Sequence, residues 1–258
     1  MATTKDDVKR QFGRNASNYA TSAGHAHGFD LEIVFDLLGA NRRFNVLDIA
    51  TGAGHTAARI APHVAQVTAI DLAAEMITES EKLFKSRGIT NATARVMDVE
   101  ALEFDDASFD AVTCRIAPHH FLDIKKSISE IARVLSPRGV FILEDSCSPQ
   151  DERLDQFINY VETLRDPTHV RSYSELEWRQ MLSDNGFKIK KTRHYKKTHE
   201  IVDWMDKAGL AKSKRPLVLA TFRQASQAAI EEFEIEFDGE TPVSYTDDKV
   251  ILRAVKSA

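Results

Sequence analysis

The sequence predicts an α/β protein built on a doubly wound, mostly parallel sheet. Between residues 45 and 146, short β-branched runs alternate with amphipathic stretches, the pattern of successive βαβ units. The first of these runs falls into a turn with two glycines, "NVLDIATGAGHTA" at 45–57, as a strand does when it passes over a ligand into a helix. A chain of 258 residues, 43% of them hydrophobic, also has enough apolar surface for one large core with an elaboration.

The strands of the core are read at "NVLDIAT" (45–51), "VAQVTAID" (64–71), "NATARVMD" (91–98), "DAVTCRI" (110–116) and "GVFILEDS" (139–146). Helices are expected near 54–62, 73–87 and 124–135, the last stopped by Pro137 and Gly139 in "SPRG". Upstream, residues 1–40 hold helix-like segments expected to lie across one edge of the sheet as a lid. Downstream, helices are read at 150–164 and 174–185, and strands at 187–201 ("FKIKKTRHYKKTHEI") and 249–256 ("KVILRAVK"). Residues 203–243 separate those two strands; 203–234, with Trp204 and little β-character, read as helical. They are expected to form an inserted cap within a single domain, 1–258, whose cofactor-binding core is 45–146.

Composition narrows the partners. A net charge of −5 and a pI near 6.0 do not favour nucleic acid or an anionic membrane, and a small-molecule substrate fits more readily. Cys114 and Cys147 are the only cysteines and form no CxxC pair, which argues against a disulfide scaffold or a cysteine zinc site. The charged start "MATTKDDVKRQF" and the absence of an apolar run of about 18 residues predict an untargeted protein of the reducing cytoplasm, with no membrane span.

The glycine turn by itself leaves two cofactor classes open. Gly52, Gly54 and Ala57 satisfy the loose dinucleotide pattern as well as a nucleoside-binding one, since both use close backbone approach and the amides of a helix start. Asp71, 23 residues after Asp48 and at the end of the second strand, can accept both hydroxyls of a ribose in either class. Asp98, at the end of the third strand, begins to separate them. A carboxylate there can accept from an adenine amino group while the N–H of Val99 meets a ring nitrogen.

With these residues in view, "VLDIATGAG", "AIDLAAEMI", "MDVEALEFDDASFD" and "RVLSPRGVFILEDS" resemble, in order and spacing, the class I S-adenosylmethionine-dependent methyltransferases. The branch is the one that includes the menaquinone and ubiquinone C-methyltransferases. The chain is also similar over nearly its whole length to uncharacterised bacterial methyltransferases sharing "CRIAPHHF", "RDPTHVRSYSELEW" and a C-terminal "PVSY…KVILRA". The resemblance implies a seven-stranded Rossmann-like sheet with its last strand antiparallel, and S-adenosylmethionine across the carboxyl ends of the first strands. It assigns Asp71 to the ribose, Asp98 and Val99 to the adenine, Gly52 and Gly54 to the methionine portion, and Asp48 to support of the loop. Leu72, Met76, Arg115 and Tyr19 complete the implied cofactor set, Tyr19 and Phe12 lying in the implied lid or serving as plain core. One position departs from the family, whose first loop residue is usually glycine; here it is Ala50, also placed in the cofactor set, and its single methyl is expected to be tolerated.

Outside the donor motifs, "APHH" puts His119 and His120 at the carboxyl edge of the sheet, where an imidazole suits a general base; the alternative is packing and loop hydrogen bonds. "HAH" at 25–27 has no carboxylate or cysteine at a recognisable spacing, so no metal is expected. In "RDPTHVRSY", Arg165, His169, Arg171 and Tyr173 either bind a ligand or tie the loop, the latter being the commoner role. The six basic residues Lys188, Lys190, Lys191, Arg193, Lys196 and Lys197 fit an exposed edge strand better than a nucleic-acid stripe, and "EEFEIEFDGE" at 231–240 fits a solvated face.

The expectation is therefore a methyltransferase acting on a small organic acceptor, aromatic, hydroxylated or quinone-like, as a monomer or homodimer, with His119 and His120 as the catalytic candidates. Two alternatives stand beside it. One is a nicotinamide-dependent reductase; its short-chain type would want Tyr-x-x-x-Lys, but Leu164 stands four positions after Tyr160. A non-catalytic nucleoside-binding or RNA-associated module is the other; nucleic-acid adenine methylation would want an Asn/Asp-Pro-Pro-aromatic motif where "RIAPHHF" stands.

Overall fold

The computed structural model describes residues 3–21, 26 and 28–258, with the side chains of Asn18, Tyr19 and Thr21 outside that description. His25 and His27 of "HAH" and the side chain of Tyr19 therefore lie outside the described residues. Helices α1 (Lys5–Thr21) and α2 (Phe29–Leu38) precede the first strand. The core then alternates β1 (Asn45–Ile49), α3 (His55–Ile60), β2 (Gln66–Asp71), α4 (Ala74–Ser86), β3 (Ala92–Val96), β4 (Phe109–Arg115), α5 (Ile124–Val134) and β5 (Leu135–Cys147). After it come α6 (Glu152–Arg165), α7 (Glu175–Asp184), β6 (Phe187–Glu200), α8 (Ile201–Lys207), α9 (Arg215–Arg223), α10 (Gln227–Glu232), β7 (Glu236–Asp238) and β8 (Thr241–Lys256).

The strands form one sheet in the order β3-β2-β1-β4-β5-β8-β6, with the short β7 paired to β8 off that path. Strands β1 to β5 pair in parallel, whereas β8 runs antiparallel to both β5 and β6. The strand order reverses between β1 and β4, so a crevice opens at the carboxyl ends of those strands. The four interior residues of β1, Val46 to Ile49, are buried because helices cover both faces of the sheet. On one face Leu47, Ile49, Val112 and Leu143 pack under α5 and α7, with Trp178 fully buried. On the other, Val46, Val67 and Ile142 pack under α2 and α3.

Two expected boundaries move. Strand β5 reaches back to Leu135 because "SPRG" forms a bulge with Arg138 at φ 65°, the register jumping from Phe109↔Leu135 to Ala111↔Val140. Strand β8 starts at Thr241 rather than near 249, its polar first half pairing with β6 as far as Ser244↔Glu200. Ser244, Thr246, Asp247 and Lys249 are buried but satisfied by hydrogen bonds and ion pairs, so their polarity conceals a strand. Residues 201–235 have their own apolar core around Trp204, Met205, Val218 and Phe222, shared with Ile158 and Val161 of α6 and Tyr245 of β8. No helix among the described residues is long and apolar enough to cross a membrane.

Candidate functional site

The site begins with the turn after β1. Asp48, buried in that strand, accepts 2.6 Å hydrogen bonds from Thr51 Oγ1 and Thr113 Oγ1, so the start of the turn is tied to β4. Burial pushes its carboxyl up to about 6 despite those bonds. Ala50, Gly52 and Gly54 all have positive φ, 50°, 56° and 85°. A Cβ at Gly52 would meet no protein atom, because that residue faces open space, whereas one at Gly54 would come 3.0 Å from Phe84 and Ser80. Gly54 thus permits the first turn of α3 to pack on α4, and only Gly52 of the two glycines lines the cavity. Ala50 lines it too, in a backbone region that costs a non-glycine residue roughly 1–2 kcal/mol.

The cavity, about 140 Å³, runs over the carboxyl ends of β1, β2 and β4. Asp48, Asp71, Leu72 and Met76 line its first half; Asp98, Val99, Arg115 and His120 line the rest. Asp71 Oδ2 accepts from Gly52 N–H and Oδ1 from Ala73 N–H, each at 2.9 Å, and burial raises its carboxyl above the usual range. Asp98 Oδ1 accepts from Glu100 N–H at 2.9 Å, while Lys5 Nζ from α1 donates to Asp98 Oδ2 and lies 2.6 Å from Glu100. The amide of Val99 makes no hydrogen bond to another described residue. Val8 and Phe12 of α1 form the apolar roof, and Phe12 and Ala16 anchor that helix on Met76 of α4 and on Ala73, which precedes it.

Arg115 borders the cavity, but its guanidinium is engaged elsewhere. Nε donates to Asp30 of α2 at 2.7 Å and sits 3.2 Å from Glu144 of β5, which also accepts from the Tyr195 hydroxyl. Burial raises the Glu144 carboxyl to about 7, the Arg115 charge working against it. This cluster fastens α2 to the sheet.

The loop after β4 carries the two histidines, both half-buried. His120 stands edge-on to Phe12 with ring centroids 4.8 Å apart, and its Nδ1 lies 3.0 Å from the carbonyl oxygen of Thr168. His119 does not line the cavity; its Nδ1 meets Asp145 of β5, and its ring lies 4.2 Å from that of His120. His169 completes the cluster, 5.6 Å from His119, with Nε2 3.0 Å from Asn159 Oδ1. Burial and the neighbouring His119 push His120 down to about 3, and burial takes His169 to about 4. Burial works against protonation of His119, but Asp145 prevails and holds it above the ordinary value. The rest of "RDPTHVRSY" is tied to protein: Arg165 to the Trp204 carbonyl, Arg171 to Asp155 and Glu177, Tyr173 edge-on to Trp178.

Sequence reasoning missed Lys5, Glu100 and Asp145. Lys5 and Glu100 are charges without motif context, and Asp145 stands with Glu144 just after the apolar run Val140 to Leu143. That last oddity, "FILEDS" carrying two acids inside a buried run, was a usable signal.

A methyltransferase-domain family profile matches residues 47–143. The uncharacterized methyltransferase YcgJ of Bacillus subtilis is 32% identical over 95% of this chain and 97% of its own. The chain belongs to the class I S-adenosylmethionine-dependent methyltransferases. The crystal structure of YcgJ superposes with a TM-score of 0.88, covering 90% of this chain and all of that one. The uncharacterized protein YafE of Escherichia coli is 30% identical over 77% of this chain and 94% of its own. A ubiquinone/menaquinone biosynthesis C-methyltransferase, UbiE of Citrifermentans bemidjiense, is 34% identical, but over only 43% of this chain and 49% of its own. The methyltransferase cofactor is S-adenosylmethionine, which sets aside the nicotinamide alternative.

Proposed function

We propose that this methyltransferase modifies a small organic acceptor, aromatic, hydroxylated or quinone-like, in the part of the cavity that His120 borders. The observation that carries the reading is the cavity itself: donor-type acids at two strand ends, an apolar roof of Val8 and Phe12, and an imidazole on its wall. A roofed cavity of this size favours a small acceptor over a polymer, and the net charge of −5 points the same way. The partial likeness to a ubiquinone/menaquinone C-methyltransferase supports a hydroxylated ring.

The residues fit the donor. Gly52 leaves room where a Cβ would stand in the cavity. Asp71 retains a second lone pair on each oxygen for the ribose hydroxyls. The unpaired Val99 amide beside Asp98 offers the donor and acceptor pair that an adenine edge requires. Asp48 holds the loop through Thr51 and Thr113, Leu72 and Met76 supply apolar wall, and Ala50 and Gly54 shape the turn. Arg115 acts through Asp30 and Glu144, keeping α2 in place.

When bound, S-adenosylmethionine supplies an electrophilic methyl group on a sulfonium sulfur. The chain's own part is to align the acceptor, exclude water, and remove a proton where one must leave. Residues 45–146 hold the donor, 1–40 cover it as a lid and 203–243 cap the acceptor side. His119 and His120 serve the acceptor. The test is transfer of labelled methyl from S-adenosylmethionine to small phenols and quinols, set against RNA and protein from the same cells. Label in the small molecules is expected; label confined to RNA or protein overturns the reading.

A further inference from the structure

His120 lines the cavity, and its hydrogen-bonding role there is set from behind. Its Nδ1 lies 3.0 Å from Thr168 O and 3.3 Å from Thr168 Oγ1. A carbonyl oxygen only accepts. The Thr168 hydroxyl gives its own hydrogen to Asp166 Oδ1 at 2.6 Å, so Oγ1 too can only accept from the ring. Both contacts therefore place the proton on Nδ1 and leave the lone pair on Nε2. That nitrogen meets no hydrogen-bond partner among the described residues and is not sealed from solvent, on a ring that forms part of the cavity wall.

Charge keeps that role fixed. The ring of His119 lies 4.2 Å away, centroid to centroid, and Asp145 holds it toward its protonated form against burial. Burial and that neighbouring charge hold His120 far below the ordinary imidazole value, against the opposing pull of Asp166. His120 Nε2 is thus a hydrogen-bond acceptor and nothing else.

Beside it the wall is apolar, from Phe12, which the ring meets edge-on, to Ile116, Ala117, Phe121 and Leu122 of its own loop. Both cations on the wall are engaged, Lys5 by Asp98 and Glu100, Arg115 by Asp30 and Glu144. Asp48, Asp71, Asp98 and Glu100 add carboxyl groups to the same lining. An anion entering here would meet a lone pair and acids. Resting on the reading of this cavity as the methyl-transfer site, we infer that His120 selects the acceptor: its Nε2 accepts a hydrogen bond from the O–H or N–H of a neutral, otherwise apolar molecule and turns away carboxylates. His120 orients that group and takes no proton from it.

Nitrogen-15 spectra of the full chain, saturated with S-adenosylhomocysteine and titrated with 4-cresol, 4-toluidine, 4-methylanisole and 4-methylbenzoate, test the inference. The expected result is an upfield move of the His120 Nε2 resonance with cresol or toluidine, because that nitrogen gains a hydrogen-bond donor. Methylanisole, whose oxygen carries no hydrogen, should leave it in place, and methylbenzoate should bind at least about tenfold more weakly than cresol. His120→Gln, which keeps a carbonyl oxygen as acceptor, should retain the preference for cresol over methylanisole. His120→Phe should reduce that preference about 3–10-fold, the loss of one neutral hydrogen bond. A purely structural His120 would alter the binding of both probes alike and leave their ratio unchanged. The inference is overturned if Nε2 moves with none of the probes or equally with methylanisole, if methylbenzoate binds as tightly as cresol, or if a folded His120→Phe keeps the ratio. The wild-type spectra decide even if the variants do not fold. Calorimetry with S-adenosylhomocysteine separates the two levels, since no binding sinks the site reading, whereas normal binding with an unmoved Nε2 sinks only this one.

Discussion

Asp71 Oδ2 accepts a 2.9 Å hydrogen bond from the amide of Gly52, so the acid assigned to the ribose also holds the loop beneath the donor. The two tasks cannot be removed separately by truncation. Asp71→Ala is expected to weaken S-adenosylhomocysteine binding more than tenfold, since a charge-assisted hydrogen bond contributes about 1.5–3 kcal/mol. It should also lower the melting temperature, because the Gly52 and Ala73 amides lose their acceptor. Asp71→Asn, which keeps one oxygen, should recover part of the stability but little of the affinity. Calorimetry and thermal melts on both variants check this; unchanged affinity would mean that the ribose is held elsewhere.

Lys5 occupies the acid assigned to adenine. With Glu100 N–H on one Asp98 oxygen and Lys5 on the other, an incoming amino group must displace or share with the lysine. Lys5 is about one-third exposed, so the pair contributes at most about 1 kcal/mol. Lys5→Met should therefore bind S-adenosylhomocysteine up to about fivefold more tightly while α1 exchanges its amide hydrogens faster. Weaker binding in Lys5→Met would show instead that the lysine helps to hold the donor.

Asp48 couples the same loop to pH. Its folded carboxyl titrates at about 6 against an ordinary 3.8, so the folded state binds the proton more tightly than the unfolded chain. The associated stability is complete below about pH 4 and is lost as pH rises through 6, a change of roughly 3 kcal/mol. Asp48→Asn cannot titrate. Urea denaturation should show wild type gaining most of that amount, about 2.4 kcal/mol, relative to the variant between pH 7 and 4; a constant difference between the two would exclude the burial penalty.

The core from β1 to β5 was legible because apolar runs, glycine turns and strand-end acids are local signals. The reversed strand β8 was legible only in its apolar half, Lys249 to Lys256. Its first half, "TPVSYTDD", is polar, and its burial depends on Lys249 and His199 meeting Asp247, partners that local periodicity does not reveal. The histidines show the same limit. "APHH" marked the pair, but which of them carries a carboxylate and which a carbonyl is decided by Asp145 and Thr168, 26 and 48 residues away in the chain.

The histidine cluster should make the protein sensitive to acid in a way one substitution can isolate. His169 is held near 4 in the fold, whereas the unfolded imidazole protonates near 6.5. Below pH 6.5 the unfolded chain binds the extra proton, so this residue's contribution to stability falls as pH drops and is fully lost near pH 4, roughly 3 kcal/mol in all. Burial is the main cause; Glu162, Asp145 and Asp166 favour the proton, and His119 opposes it. His169→Gln removes the titration but also the 3.0 Å bond to Asn159, a loss of about 1 kcal/mol at neutral pH. The variant should thus be the less stable protein at pH 8 and the more stable one at pH 4.5. The two stability curves are expected to cross near pH ~6, where the proton penalty first equals the lost hydrogen bond. Chemical denaturation at intervals between pH 4.5 and 8 locates that crossing, and parallel curves would show that His169 takes up its proton in the folded protein as readily as in the unfolded chain.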